Sequence, residues 1–174
     1  MHTRNHAGIV VALLAVSLLA VFPRGAQASD EEDKQRIMQV YSAKFAQYSK
    51  IFLSNDLSAD VGAVDFSRKN DMISSPLKAL FAKDAARAKR SGGMGKLDFD
   101  FLLNGQDNCG VPLRIVSLEK AGNGYVMKIN NGCKKDKDYD PEYQLLLVNE
   151  AGKWVIDDAV YFLPDKTTLQ GILK

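Results

Sequence analysis

The chain has 174 residues, with 23 lysines and arginines against 21 aspartates and glutamates, and 46% of its residues are hydrophobic. This length suits one domain with a sizeable core. The near balance of charge excludes the strongly basic field on which non-specific nucleic-acid binding depends, so we predict no nucleic-acid partner.

The N-terminus has the pattern of a secretory signal peptide. Arg4 precedes an apolar run over residues 9–22, and the small-residue cleavage site Ala26-Gln27-Ala28 follows. The run is shorter than the roughly 20 residues that a membrane-spanning helix needs. We therefore expect a signal peptide over 1–28, cleavage after Ala28 with no membrane anchor left, and a single domain over 29–174 in a bacterial periplasm.

Cleavage would remove both histidines, His2 and His6. A mature chain without histidine cannot form a Ser-His-Asp or Cys-His nucleophile system, a histidine-ligated zinc site or a histidine general base. Cleavage would also remove two arginines and no acid, so the mature chain is neutral. We predict no cofactor.

Helices come first along the chain. From Ser29, which could form a capping box with Glu32, apolar residues recur every three or four positions and predict an amphipathic helix: Ile37, Val40, Tyr41, Phe45, Tyr48 and Phe52. A less periodic stretch over 55–70 could hold a second short helix. A third helix is predicted from Ser75 as cap, with Pro76 in its first turn, to the glycines after Ser91.

The segment "KLDFDFLLNGQDNCG", residues 96–110, could be a metal loop, an acid/base site or a structural brace. An EF-hand frame counted from Asp98 fails, because Leu102 and Leu103 occupy its fifth and sixth positions, and no metal is predicted. The turn-forming residues in "NGQDN" favour a brace, since their side chains bond nearby backbone.

Cys109 and Cys133 are the only cysteines, and an oxidising compartment favours a disulfide between them. The residues between them read as strand, turn and strand, with the turn at Ala121-Gly122-Asn123-Gly124. The two cysteines should therefore face each other near the open end of one hairpin.

Two further strands, "EYQLLLVNE" and "KWVIDDAVYF", and a terminal helix in "KTTLQGILK" complete the pattern. Helices followed by an antiparallel meander predict an α+β fold, with the helices packed on one face of a curved sheet. On the last strand Trp154, Ile156 and Asp158 share one face unless a bulge intervenes. That face should meet the helices, which would bury Asp158 and leave Asp157 more exposed. Gln106 and backbone N–H groups of 104–108 are the predicted donors to Asp158.

The assembly of "LKALFAKD", "LDFDFLLNGQD", "GKWVIDDAVYF" and "TTLQGIL" resembles the bacterial exported family catalogued as domain of unknown function 3828. The strongest match is Trp154 to Asp158 with Tyr161 downstream. Such proteins are similar to the nuclear-transport-factor-two-like superfamily, so the resemblance implies a cone of helices over a bent sheet. It transfers no catalytic residue.

Two functional hypotheses follow. The first is a non-enzymatic exported binding protein for an unknown protein or small molecule, one form of which is an immunity-type inhibitor of a periplasmic toxin. The second is a small histidine-free lyase or isomerase, in which a pocket aspartate acts as general base beside a tyrosine. The candidate binding or catalytic residues are Gln106, Asp107, Asp157, Asp158 and Tyr41.

Overall fold

The structure is a computed structural model, and it describes residues 24–54, 62–107, 109–162 and 165–174, with the backbone alone described for 24–28. Residues 1–23 of the predicted signal peptide lie outside these ranges, as do residues 55–61 of the predicted second helix. The described residues form α1 (Arg24–Leu53), α2 (Ala63–Lys69), α3 (Ser75–Ser91), β1 (Arg114–Ala121), β2 (Gly124–Asn130), β3 (Glu142–Glu150), β4 (Lys153–Tyr161), β5 (Thr167–Thr168) and α4 (Leu169–Leu173).

The five strands form one antiparallel sheet in chain order, β1-β2-β3-β4-β5. Side chains of α1, α2, α3 and α4 share one apolar core with the sheet. The α+β class is thereby confirmed, and the curled sheet is compatible with the predicted cone. The sequence analysis missed β5, a two-residue strand that pairs with the end of β4 immediately before α4.

The helix ends follow local chemistry with two differences from the prediction. The backbone of α1 is already helical at Arg24, so Ser29 does not cap it in this chain. The cap of α3 is Ser74, whose hydroxyl accepts from Leu77 N, and Ser75 is the first helical residue. At its other end α3 stops at Gly92, whose φ of 66° suits a residue without a side chain.

The predicted turn between β1 and β2 is present, and a second tight turn joins β3 to β4. The β3–β4 turn has positive φ at both central residues, 52° at Ala151 and 82° at Gly152. This combination is the type I′ geometry that matches the twist of the flanking strands. The turn carries Lys153, the first residue of β4, to the rim of the cavity described below.

A β-bulge in β4 changes which residues face the core. Leu146 of β3 pairs with Asp158, but the adjacent Leu147 pairs with Ile156, so Asp157 is the extra residue. Ile156, which precedes the bulge, belongs to the core. After the bulge the core residues are Ala159 and Tyr161. The predicted face is correct up to Ile156 and wrong beyond it, since an inserted residue reverses the alternation.

The predicted disulfide is present. Cys109 and Cys133 are bonded, with their Cα atoms 5.3 Å apart. The bond joins the end of the 96–110 segment to the chain that leaves β2, as the hairpin pattern predicted.

Candidate functional site

A cavity of about 260 Å³ lies between α1, the connection from α2 to α3, and the β3–β4 turn. We call it the α1 cavity. Ligand pockets are typically ~300–1,000 Å³, so a ligand here would be small. The residues that line it are Arg36, Ile37, Val40, Tyr41, Lys44, Asn70, Asp71, Gly152, Lys153 and Trp154.

The apolar wall of the cavity comes from the core-facing stripe of α1 and from β4. Ile37 and Tyr41 are buried, while Val40 is 40% exposed. Opposite them stands Trp154, which packs edge-on against Tyr125 with ring centroids 4.8 Å apart. The indole N–H is buried and has no hydrogen-bond partner among the described residues, so packing holds this side chain.

Hydrogen bonds from Tyr41 connect α1 to β4 and to the α2–α3 connection. Its hydroxyl lies 3.1 Å from the carbonyl oxygen of Trp154 and 3.4 Å from that of Met72, and it donates to this carbonyl pair. Burial raises the pKa of Tyr41 well above its usual range. Tyr41 is therefore a neutral donor committed to backbone, which is a structural role.

Three cations surround the apolar wall. Lys44 is half-buried and donates to the carbonyl oxygen of Asn70. Burial lowers the pKa of the Lys44 amine, and the nearby charge of Asp71 offsets part of that effect. Among the described residues no carboxylate oxygen lies within 4.0 Å of the Lys44 Nζ atom. Arg36 and Lys153 are more exposed, with 61% and 67% of their side chains accessible.

Asp71 is the one carboxylate in the lining, and its charge is already matched. Its oxygens lie 3.0 Å from the Lys153 Nζ atom and 4.0 Å from that of Lys78. The hydrogen bond from Lys153 is the main reason that the pKa of Asp71 lies below its usual range. An ionised, paired carboxylate of this kind is a weak general base.

Tyr41 is the only predicted site residue in the lining of the α1 cavity. Asp157 and Asp158 lie at the β4 bulge, beyond Ile156. Asp157 accepts from the Ser74 hydroxyl at 2.6 Å and from the Gln170 amide group at 3.1 Å, while Asp158 accepts from the Gln170 backbone N–H at 2.9 Å. These bonds join β4 to the start of α3 and to α4.

The predicted environment of Asp158 is wrong in two respects. Both aspartates are half-buried, so Asp158 is not distinguished from Asp157 by burial. The donors are Gln170 and Ala159, whereas Gln106 is exposed and donates to the Asp98 carbonyl. The bulge and the packing of the terminal helix against β4 decide these contacts, and local pattern sets neither of them. Asp107 is also exposed, and the α1 cavity includes neither it nor Gln106.

The residue that braces the 96–110 segment is Asp100, which the sequence analysis did not select. Its carboxylate accepts from Leu102 N at 2.9 Å, from Leu103 N at 3.0 Å, from Ala63 N at 3.3 Å and from the Tyr48 hydroxyl. The predicted partner strand also contributes, because the Tyr161 hydroxyl on β4 donates to the Phe101 carbonyl at 3.1 Å.

The described residues contain no group of three or more histidine, cysteine, aspartate or glutamate side chains that could hold a metal ion. In the same residues no helix has the length and apolar character needed to cross a membrane.

Comparison with known proteins leaves the cavity as the main guide to function. No protein-family model, no curated protein and no solved structure matches the chain.

Proposed function

We propose that this chain is an exported, non-enzymatic binding domain, and that the α1 cavity receives its ligand. One observation carries the proposal: an apolar wall and three cations line one small cavity, and neither its tyrosine nor its carboxylate is suited to act as a general base. Tyr41 is neutral and bonded to backbone, and Asp71 is ionised and paired. Lys44 already donates to the Asn70 carbonyl. These features favour binding over proton transfer.

Export is supported by the apolar run over 9–22, the Ala26-Gln27-Ala28 site and the disulfide. The periplasm is the compartment that we propose. The resemblance to domain of unknown function 3828 and to the nuclear-transport-factor-two-like superfamily stays a prediction. N-terminal sequencing of the protein recovered from the periplasm should begin at Ser29.

An immunity-type inhibitor of a periplasmic toxin is a specific form of the same proposal. Its support is the small size, the signal peptide, the disulfide and the lack of histidine in the mature sequence. A protein partner would then insert a side chain into the α1 cavity in place of a free ligand.

The proposal is tested by non-denaturing mass spectrometry of the mature chain after incubation with periplasmic extract. The wild type should carry an added mass, either a small molecule or a protein. Val40→Trp fills the mouth of the cavity from a half-exposed position and should abolish that mass. Val148→Trp is the matched control, because Val148 is similarly exposed on β3 and does not line the cavity. Equal capture by all three proteins would contradict the proposal.

The alternative is a histidine-free lyase or isomerase, and one pair of residues favours it. Asp100 bonds to the Tyr48 hydroxyl, and burial raises the pKa of Asp100 above its usual range, as a general base requires. Asp100 also lines a broader groove of about 500 Å³ beside the start of α2. We rank it second because three amides already hold this carboxylate. Turnover of a carbonyl substrate that folded Asp100→Asn protein lacks would reverse the order.

A further inference from the structure

We propose that the α1 cavity selects a small organic anion, in the form of a carboxylate attached to a compact aromatic or branched apolar body. This inference rests on the proposed binding function and adds the chemical class of the ligand. It follows from three features of the cavity: the state of its cations, the shape of its apolar wall and the surroundings of its one tryptophan.

One cation of the cavity, Lys44, has no negatively charged group paired with it among the described residues. Lys44 is half-buried on the core side of α1, three positions after Tyr41 and four before Tyr48. Its only described hydrogen bond goes to a neutral carbonyl, that of Asn70. An ammonium group partly taken out of water with no carboxylate within ion-pair distance is unfavourable. The lowered pKa of Lys44 agrees with this, because the more distant charge of Asp71 offsets only part of the burial effect. A ligand carboxylate beside Lys44 would supply the missing charge.

The charges at the rim are largely paired. Arg36 and Lys153 flank the opening, but Arg36 lies 3.0 Å from an Asp33 oxygen and Lys153 lies 3.0 Å from an Asp71 oxygen. Lys44 is therefore the cation of the lining that a ligand charge would meet. The three cations still outnumber these two carboxylates, so the cavity favours an anion over a cation.

The apolar wall sets the body of the ligand. Ile37, Tyr41 and Trp154 present branched and aromatic surface, and the volume of about 260 Å³ leaves room for one compact group. Aromatic walls can also bind cations through their ring faces. At Trp154 a lysine already occupies this position, because the Lys120 Nζ atom lies 5.6 Å from the centroid of the Trp154 ring and 4.4 Å from that of the adjacent Tyr125.

The chain contains a single tryptophan, so Trp154 reports directly on the cavity. We would titrate the mature protein with phenylacetate, with its neutral isostere phenylacetamide and with the cation phenethylamine, and follow the fluorescence of Trp154. Phenylacetate should give a saturable change. The amide should bind about tenfold more weakly, since it loses one charge-assisted contact, and the amine should not bind.

Variants that remove a single charge show which cation contributes to phenylacetate binding. Lys44→Met keeps the aliphatic stem and should weaken phenylacetate about tenfold while leaving the amide unchanged. Lys153→Gln is a second variant at an exposed position, in case Lys44→Met fails to fold, and it should weaken phenylacetate alone. Lys50→Met is the control, because Lys50 is exposed further along α1 and does not line the cavity.

The outcomes separate the two proposals. Equal affinities for phenylacetate and phenylacetamide would overturn the anion inference and leave the cavity as a binding site. No saturable response to any of the three compounds would also overturn the inference, and the mass-spectrometric comparison with Val40→Trp would then decide the binding function by itself.

Discussion

Asp100 should be one of the most important polar side chains for the stability of this fold. Its carboxylate is the shared acceptor for groups from three parts of the chain: the Tyr48 hydroxyl of α1, the first backbone N–H of α2, and the turn at Leu102 and Leu103. Replacing it with alanine removes the acceptor and leaves the donors in place. The loss in free energy of unfolding can be estimated from the acceptors that remain for each donor.

Leu103 N keeps a second acceptor, the carbonyl oxygen of Asp100 at 3.1 Å, which alanine preserves. The Tyr48 hydroxyl, Leu102 N and Ala63 N have no other described acceptor. An unsatisfied buried donor costs about 1–3 kcal/mol, so three donors at the low end of that range give about 3 kcal/mol. We use the low end because removing Asp100 also relieves the cost of burying its charge, which is the main cause of its raised pKa.

The measurement is urea denaturation of the oxidised mature chain near neutral pH. Asp100→Ala should reduce the free energy of unfolding by about 3 kcal/mol. Asp100→Asn keeps one acceptor oxygen and should lose less. The matched control is Asp98→Ala, because Asp98 is exposed two residues earlier and should stay within about 0.5 kcal/mol of wild type. An Asp100→Ala protein as stable as this control would refute the reasoning.

Three further predictions concern pH, the disulfide and α1. Burial raises the folded-state pKa of Asp100 above 3.8, so the folded state binds the carboxyl proton more tightly than the unfolded state does. The stability of wild type relative to Asp100→Asn should therefore fall as pH rises from 3.8 through the raised pKa. Urea denaturation across that pH range measures this difference. The double substitution Cys109→Ser with Cys133→Ser should reduce the free energy of unfolding by about 3 kcal/mol, and a denaturation midpoint insensitive to reductant would contradict this. Hydrogen bonds from Tyr125 and Lys120 hold the pKa of Asp30 below 3.8, so its contribution to stability is present above 3.8 and is lost as pH falls through the lowered pKa. Tyr125→Phe should raise the pKa of Asp30 in a carbon-13 titration.

The parts of the fold that local pattern controls were predictable from the sequence. The hairpin between the cysteines is one such part, because its turn and its alternation specify register and so bring Cys109 close to Cys133. The apolar stripe of α1 is another, and four of its six predicted members are buried: Ile37, Tyr41, Phe45 and Tyr48.

The bulge at Asp157 could not be predicted in the same way. Nothing in "WVIDDAVYF" distinguishes an extra residue at Asp157 from regular alternation, and the choice depends on pairing with β3. The partners of Asp158 depend in turn on α4, which begins eight residues after the end of β4. Long-range packing decided both features.

Most of the α1 cavity was also missed, although one signal was available. Lys44 falls on the apolar stripe of α1, in line with Tyr41 and Tyr48, where a charged residue interrupts the pattern. A lysine at such a position has to reach a partner or line a cavity. Asp71 and Lys153 carried no comparable signal, because only the fold brings the α2–α3 connection beside the β3–β4 turn.

The position of α1 in the chain has a consequence for how the protein folds. Its aromatic residues precede all the described strands in the chain, yet the Tyr41 hydroxyl bonds to the carbonyl of Trp154, 113 residues later. Closing so long a loop must precede the contact that rewards it, which slows folding. The part of the apolar side of α1 around Tyr41 therefore lacks its β4 partner until Trp154 has been made, whereas other parts of α1 contact β1 and β2. A nascent chain that stops before Trp154 should expose the part of α1 around Tyr41 and aggregate more readily than a chain that includes β4.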